Sequence, residues 1–100
     1  MSNERESIMV IDVSNIQTAE ELHLLLKEKL GFPDFYGENW DAFWDCITGF
    51  VDLPKKMIFN GWSELEKRLT RDTEIMKECL LDYNEKDRKD PEGKSEFLFN

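Results

Sequence analysis

The spacing of three short β-prone runs, at residues 7–13, 56–60 and 95–100, constrains this chain more than any other feature. Between each pair lies helical sequence, and parallel strands need a crossover of a dozen or more residues. The order therefore points to a small α/β fold, a three-stranded parallel sheet packed with about four helices. The first run, Ser7-Ile8-Met9-Val10-Ile11-Asp12-Val13, is apolar and largely β-branched, which suits a strand buried on both faces better than an alternating edge strand. Residues 1–100 read as one domain without internal repeats.

Helix boundaries follow from capping chemistry. Thr18-Ala19-Glu20-Glu21 is a capping box, in which the threonine oxygen accepts from the N3 amide and Glu21 reaches back to the cap's own N–H. Ala19, Leu22, Leu25, Leu26 and Leu30 recur at helical spacing, and Gly31-Phe32-Pro33 supplies the left-handed stop and then the breaker. The spacing predicts a second helix over 39–48, with Asn39 as N-cap and Gly49 as a positive-φ terminator. Trp62, Leu65 and Leu69 mark a short third helix. Asp72 is expected to cap a fourth, which carries Ile75, Met76, Cys79, Leu80 and Tyr83 on its apolar side. The charged residues 86–94 read as a solvated loop. Phe32, Phe35, Trp40, Phe43, Trp44, Phe50, Phe59 and Trp62 are expected mostly to cover the sheet.

Charge narrows the function. Twenty-two acids against 13 bases give a formal net charge of −9, which disfavours binding to nucleic acid or to an anionic membrane and favours a basic partner. No run approaches the roughly 18 apolar residues of a membrane span, and the first residues lack the basic-then-apolar order of a secretion signal, so a cytoplasmic protein is expected. Cys46 and Cys79 have no metal-ligand spacing and read as free, structural thiols. His23 stands alone on the first helix, where it is expected to be exposed.

The densest signal runs from Tyr36-Gly37-Glu38-Asn39 through Trp40-Asp41-Ala42-Phe43-Trp44-Asp45-Cys46-Ile47-Thr48-Gly49. A turn of about 100° per residue puts Trp40, Phe43, Trp44 and Ile47 along one side of this helix, with Asp41, Asp45 and Thr48 on the adjoining side. Asp41 and Asp45, at i and i+4, repel each other by a few tenths of a kcal/mol. The macrodipole favours Asp41, in the first turn, by about 0.3–1 kcal/mol, but explains Asp45 less well. Periodicity alone leaves this face open between an ordinary solvated surface and a binding site.

This segment resembles the signature of the barstar family, intracellular inhibitors of secreted ribonucleases. The resemblance rests on the Tyr36-Gly37-Glu38-Asn39 loop, the Asp41-Ala42-x-Trp44-Asp45-Cys46 run and the Thr48-Gly49 exit, and the order of elements over the whole chain is also similar. It implies a barstar-like fold, no enzymatic activity, no cofactor and no metal. It also implies a one-to-one complex with a basic ribonuclease toxin, whose active site the second helix and preceding loop would plug. Asp41 and Asp45 would then occupy the positions of substrate phosphates, surrounded by Phe35, Tyr36, Asn39, Trp40, Ala42, Trp44, Thr48 and Gly49. The family's fourth-helix acid aligns with either Asp82 or Glu85, of which Asp82 is carried as the candidate.

The chain departs from the family pattern at Phe35, where a hydroxylated aromatic is usual, and at a usually apolar helix position occupied by Trp40. Phe50 and Asp52 likewise replace a larger indole and a longer acid. These changes point to a partner that differs from barnase. The toxin could be a secreted nuclease or a contact-delivered one, for which the chain would serve as immunity protein. An acidic module for a non-nuclease basic protein is the alternative. A magnesium-dependent enzyme built on Asp41, Asp45, Glu38 or Asp52 would lack a phosphate loop and a nucleophile motif.

Overall fold

A computed structural model describes residues 8–87 and 94–100. The sequence reading of residues 1–7, and of most of the charged stretch after Lys86, lies outside the described residues. The elements run β1 (Ile8–Asp12), α1 (Ala19–Leu30), α2 (Trp40–Gly49), β2 (Lys56–Asn60), α3 (Trp62–Arg68), α4 (Thr70–Asp82), a π-helical turn (Tyr83–Asp87) and β3 (Glu96–Phe99). The strands form a parallel sheet in the order β1-β2-β3, with Ile11 beside Phe59 and Phe59 beside Phe99. This is the α/β architecture expected from the alternation of runs.

The sheet's side-chain period of two separates its faces. Met9, Ile11, Val13, Met57, Phe59, Phe97 and Phe99 join a core with Leu22, Leu26, Phe43, Ile47, Leu65, Met76 and Leu80. Full burial of each large aliphatic side chain contributes roughly 1.5–3 kcal/mol relative to exposure. The opposite row, Ile8, Val10, Ile58 and Leu98, stands outside that core, and Ile8 and Val10 are 56% and 51% exposed. β1 is therefore a half-buried edge strand, not one buried on both faces. Its continuous apolar sequence conceals an alternation that becomes visible only once the helical core is placed against a single sheet face.

Thr18 caps α1 by accepting from the Glu21 amide at 3.1 Å, while the Glu21 carboxylate accepts from Gln17 N–H at 2.7 Å. The box thus closes one residue earlier than the reciprocal form expected. Gly31, at φ 72°, terminates the helix as predicted. His23 is buried rather than exposed, because it shares the inward side of α1 with Leu22 and Leu26 and finds a polar partner there.

α2 runs through Gly49, and its capping N–H comes from Phe50, bonded to Cys46 O. The left-handed glycines are Gly31 and Gly61, so Gly49 does not end α2 by the mechanism expected. α4 begins at Thr70, before Asp72, and no side chain caps it. Asp72 instead makes a tertiary contact described below. At the other end, Asn84 exchanges two hydrogen bonds with the Ser95 backbone, at 2.6 and 2.8 Å, and Ser95 Oγ donates to Pro54 O. These bonds anchor the start of β3 beside the end of α4.

Candidate functional site: an acidic helix face and its groove

The site begins with the loop that enters α2. Asn39, in extended conformation, accepts from the Ala42 amide at 2.7 Å through Oδ1 and donates from Nδ2 to Gly37 O at 3.2 Å. Glu38 adopts a left-handed backbone, φ 56°, a conformation that costs a non-glycine residue about 1–2 kcal/mol. A Cβ on Gly37 would lie 3.2 Å from Asn39 Nδ2. The short Gly-Glu-Asn sequence thus sets the turn that aims α2.

Two aromatics lock this entrance. Tyr36 is only 6% exposed, and its hydroxyl lies 2.6 Å from His23 Nδ1. Burial holds the phenol well above its usual range, with smaller contributions from Cys46, Glu38 and Cys79. Half-buried Trp40 packs its ring 4.3 Å from the His23 ring and donates its indole N–H to Asp72 Oδ1 at 2.9 Å. The first turn of α2 is therefore held from α1 on one side and from α4 on the other.

Between α2 and α4 lies a groove of about 460 Å³ lined by Trp40, Asp41, Trp44, Ile75, Glu78, Cys79, Asp82 and Lys86. Three carboxylates, from Asp41, Glu78 and Asp82, stand over a floor of indoles and aliphatic carbon. Lys86, 3.5 Å from Asp82, offsets only part of their charge. Cys79 reports the field inside. Its thiol is pushed up to about 11, first by burial and then by Asp82, Glu78 and Asp41. Burial disfavours any charge at the thiol, whereas the three carboxylates favour a cation over an anion at the groove, and its two lining indoles are the residue type that adds cation–π attraction for a guanidinium or ammonium.

Asp45 is exposed one turn beyond Asp41 on the outer side of α2. Past it, Thr48, Gly49, Phe50, Val51 and Asp52 line a second hollow of about 250 Å³. Thr48 Oγ1 donates to Trp44 O at 2.7 Å, which ties that hydroxyl to its own helix. Phe35 and Phe50, 71% and 60% exposed, meet edge to face at 5.4 Å. These two were expected to help cover the sheet. They instead form an apolar rim beside the acidic face, where the loop and the helix exit converge away from the core.

The structure thus brings Trp40, Asp41, Trp44 and Asp82 into one groove, with Asp45, Thr48, Gly49 and Phe35 on the adjoining surface. Ala42 is half-buried, Asn39 serves as cap, and Tyr36 lies inside beneath the loop. Sequence reasoning missed Glu78, whose signal was its i, i+4 spacing from Asp82 on one helix face. It also missed His23 and Asp72, which no local pattern links to α2. Cys46 and Cys79 are free thiols, as expected, with Cys46 buried. Among the described residues no three His, Cys, Asp or Glu side chains converge to hold a metal ion, and no helix is long and apolar enough to cross a membrane.

The protein is thus a three-stranded parallel α/β fold that presents carboxylates from one short helix, beside an acidic groove and an apolar rim. Residues 6–97 match the family described as Barstar (barnase inhibitor), and the chain belongs to that family. It is also 48% identical, over 54 residues, to a Bacillus subtilis (strain 168) protein described as "Putative ribonuclease inhibitor YrdF". That match covers 54% of this chain and 59% of the relative.

Proposed function

We propose that this protein is not an enzyme but an inhibitor of a basic ribonuclease, binding it one-to-one and filling its active site with the acidic face of α2. Family membership supports the inhibitory role, and the observation that carries the site assignment is the convergence of Asp41, Glu78 and Asp82 on one groove, with exposed Asp45 one helical turn beyond Asp41. Ribonucleases stabilise a phosphoryl transition state with cationic side chains, so carboxylates held on a rigid helix can replace phosphate oxygens. Asp45 projects toward that cleft, while the groove receives a further arginine or lysine between the indole of Trp44 and the three acids. The Phe35–Phe50 pair meets an apolar patch on the cleft's rim. The inhibitor acts in the cytoplasm as an immunity protein against a toxin nuclease, with no nucleic acid or membrane in the complex.

A ribonuclease whose gene adjoins that of this chain would be the first candidate partner. Equimolar inhibitor is expected to abolish its RNA cleavage, and Asp45→Ala to weaken inhibition by at least about 2 kcal/mol, the level of an interface hot spot. Unchanged inhibition by both Asp41→Ala and Asp45→Ala overturns the site assignment. Tight binding to a basic protein without nuclease activity supports instead an acidic module of broader use.

A further inference from the structure

The buried imidazole of His23 does more than fill space. It lies on α1, 3% exposed, yet its Nδ1 is 2.6 Å from the hydroxyl of Tyr36 in the loop before α2. Its ring packs against that of Trp40, the first residue of α2, at 4.3 Å between centroids and a tilt of 49°. Trp40 in turn donates to Asp72 of α4 at 2.9 Å. One histidine therefore touches both residues that bracket Gly37-Glu38-Asn39, the turn that contains the strained backbone of Glu38. A strained turn persists only when its surroundings over-determine it, and His23 supplies contacts at both of its ends.

We propose that His23 is a positioning residue of the partner-binding surface, holding Tyr36 and Trp40 so that Asp41 is presented correctly, and that protonation of its ring releases this end of the site. The proposal rests on the reading of α2 as the partner-binding helix. A neutral imidazole satisfies one hydrogen bond with the phenol in either direction, since each group can donate or accept. An imidazolium carries two N–H donors and a charge that must be solvated or paired. The charged groups facing it are Asp72 from α4 and Glu38 from the loop, and burial nonetheless holds the ring below its ordinary range against both. Once the ring is charged, it competes with the Trp40 indole for Asp72. It also draws water to the Tyr36 contact, so both ends of the turn loosen together.

The test uses the free protein, so its failure is distinct from failure to inhibit a nuclease. NMR titration from pH 7.5 to 5 is expected to show the Trp40 indole N–H and the amides of residues 36–41 shifting with the same midpoint as the His23 ring, below 6.5. Amide protection in residues 36–41 is expected to fall at least ten-fold beyond the intrinsic pH effect, while Phe59 and Leu22 stay protected. His23→Gln is expected to abolish that transition, and Tyr36→Phe to lower loop protection already at pH 7.5. The proposal is overturned if the ring titrates while the loop and indole signals stay fixed, or if it stays neutral until the whole protein unfolds. Movement of the sheet amides at the same midpoint overturns it too, as does persistence of the transition in a folded His23→Gln protein.

Discussion

At the scale of single residues, two left-handed backbone positions outside the helix stop at Gly31 have opposite characters. Gly61, at φ 85°, sits against Ser14, and a Cβ there would fall 2.4 Å from Ser14 Cβ and 2.6 Å from its Cα. Both the dihedral and the close backbone approach require glycine. Gly61→Ala is expected to destabilise the protein by at least about 2 kcal/mol, read as a drop in the urea midpoint at unchanged slope. Glu38, also left-handed, is exposed, so replacing it relieves strain without creating a clash. Glu38→Gly is expected to change stability by less than about 1 kcal/mol, because relief of strain is offset by the extra entropy of glycine in the unfolded chain. Measured by hydrogen exchange, the same variant is expected to lose protection at Asn39 through Asp41, since glycine no longer restricts the turn. Stability and preorganisation part company at this position, and a large loss of stability would show that Glu38 does something other than shape the loop.

At the scale of elements, the arrangement of α2 between α1 and α4 decides the shape of the groove. Asp72 is the tie from α4: removing its carboxylate leaves the half-buried Trp40 indole N–H without its acceptor, a loss of about 1.5–3 kcal/mol for a hydrogen bond to a charged group. Asp72→Ala is expected to lower stability by that amount, while Asp72→Asn, whose carbonyl oxygen still accepts, is expected to retain most of it. This contact also shows where sequence reading stopped. The helical spacing and capping residues of α1, the Asn39 cap of α2 and the β2 run were legible because each depends on neighbours within a few positions. Asp72 read as a cap for the same local reason, yet its partner lies 32 residues away and helix α4 starts two residues earlier. His23 and Tyr36, separated by 13 residues, meet only because the loop folds back over α1. The exposure of Phe35 and Phe50 was hidden for the converse reason, since an aromatic's type predicts burial on average and not its side of the fold. The acids of α2 were visible as a face, whereas the groove needed α4 beside it.

For the whole molecule, charge governs both stability and encounter. Burial holds His23 below its ordinary 6.5, so its unfolded form binds the proton first as pH falls. The associated stability is complete above about 6.5 and is lost between there and the folded-state value, with a slope of at most about 1.4 kcal/mol per pH unit. The formal net charge is −9 with the histidine neutral. Thermal unfolding is expected to show a lower midpoint at pH 5.5 than at 7.5, and His23→Gln to flatten that dependence. In the proposed complex, the same −9 would shape approach to a basic nuclease. Its field reaches about 10 Å in 0.1 M salt but only about 3 Å in 1 M salt, whereas contacts inside the groove are shielded from ions once the partner is seated. Salt is therefore expected to act mainly on association: between about 0.05 and 0.5 M, stopped-flow mixing with the nuclease should show the association rate falling at least ten-fold, with dissociation changing much less. Asp45→Ala is expected to do the reverse, chiefly speeding dissociation, because it removes a seated contact while leaving most of the surrounding field intact. If salt and the Asp45 variant instead changed the same rate constant, the division between a long-range field from the whole surface and a short-range grip from α2 would fail.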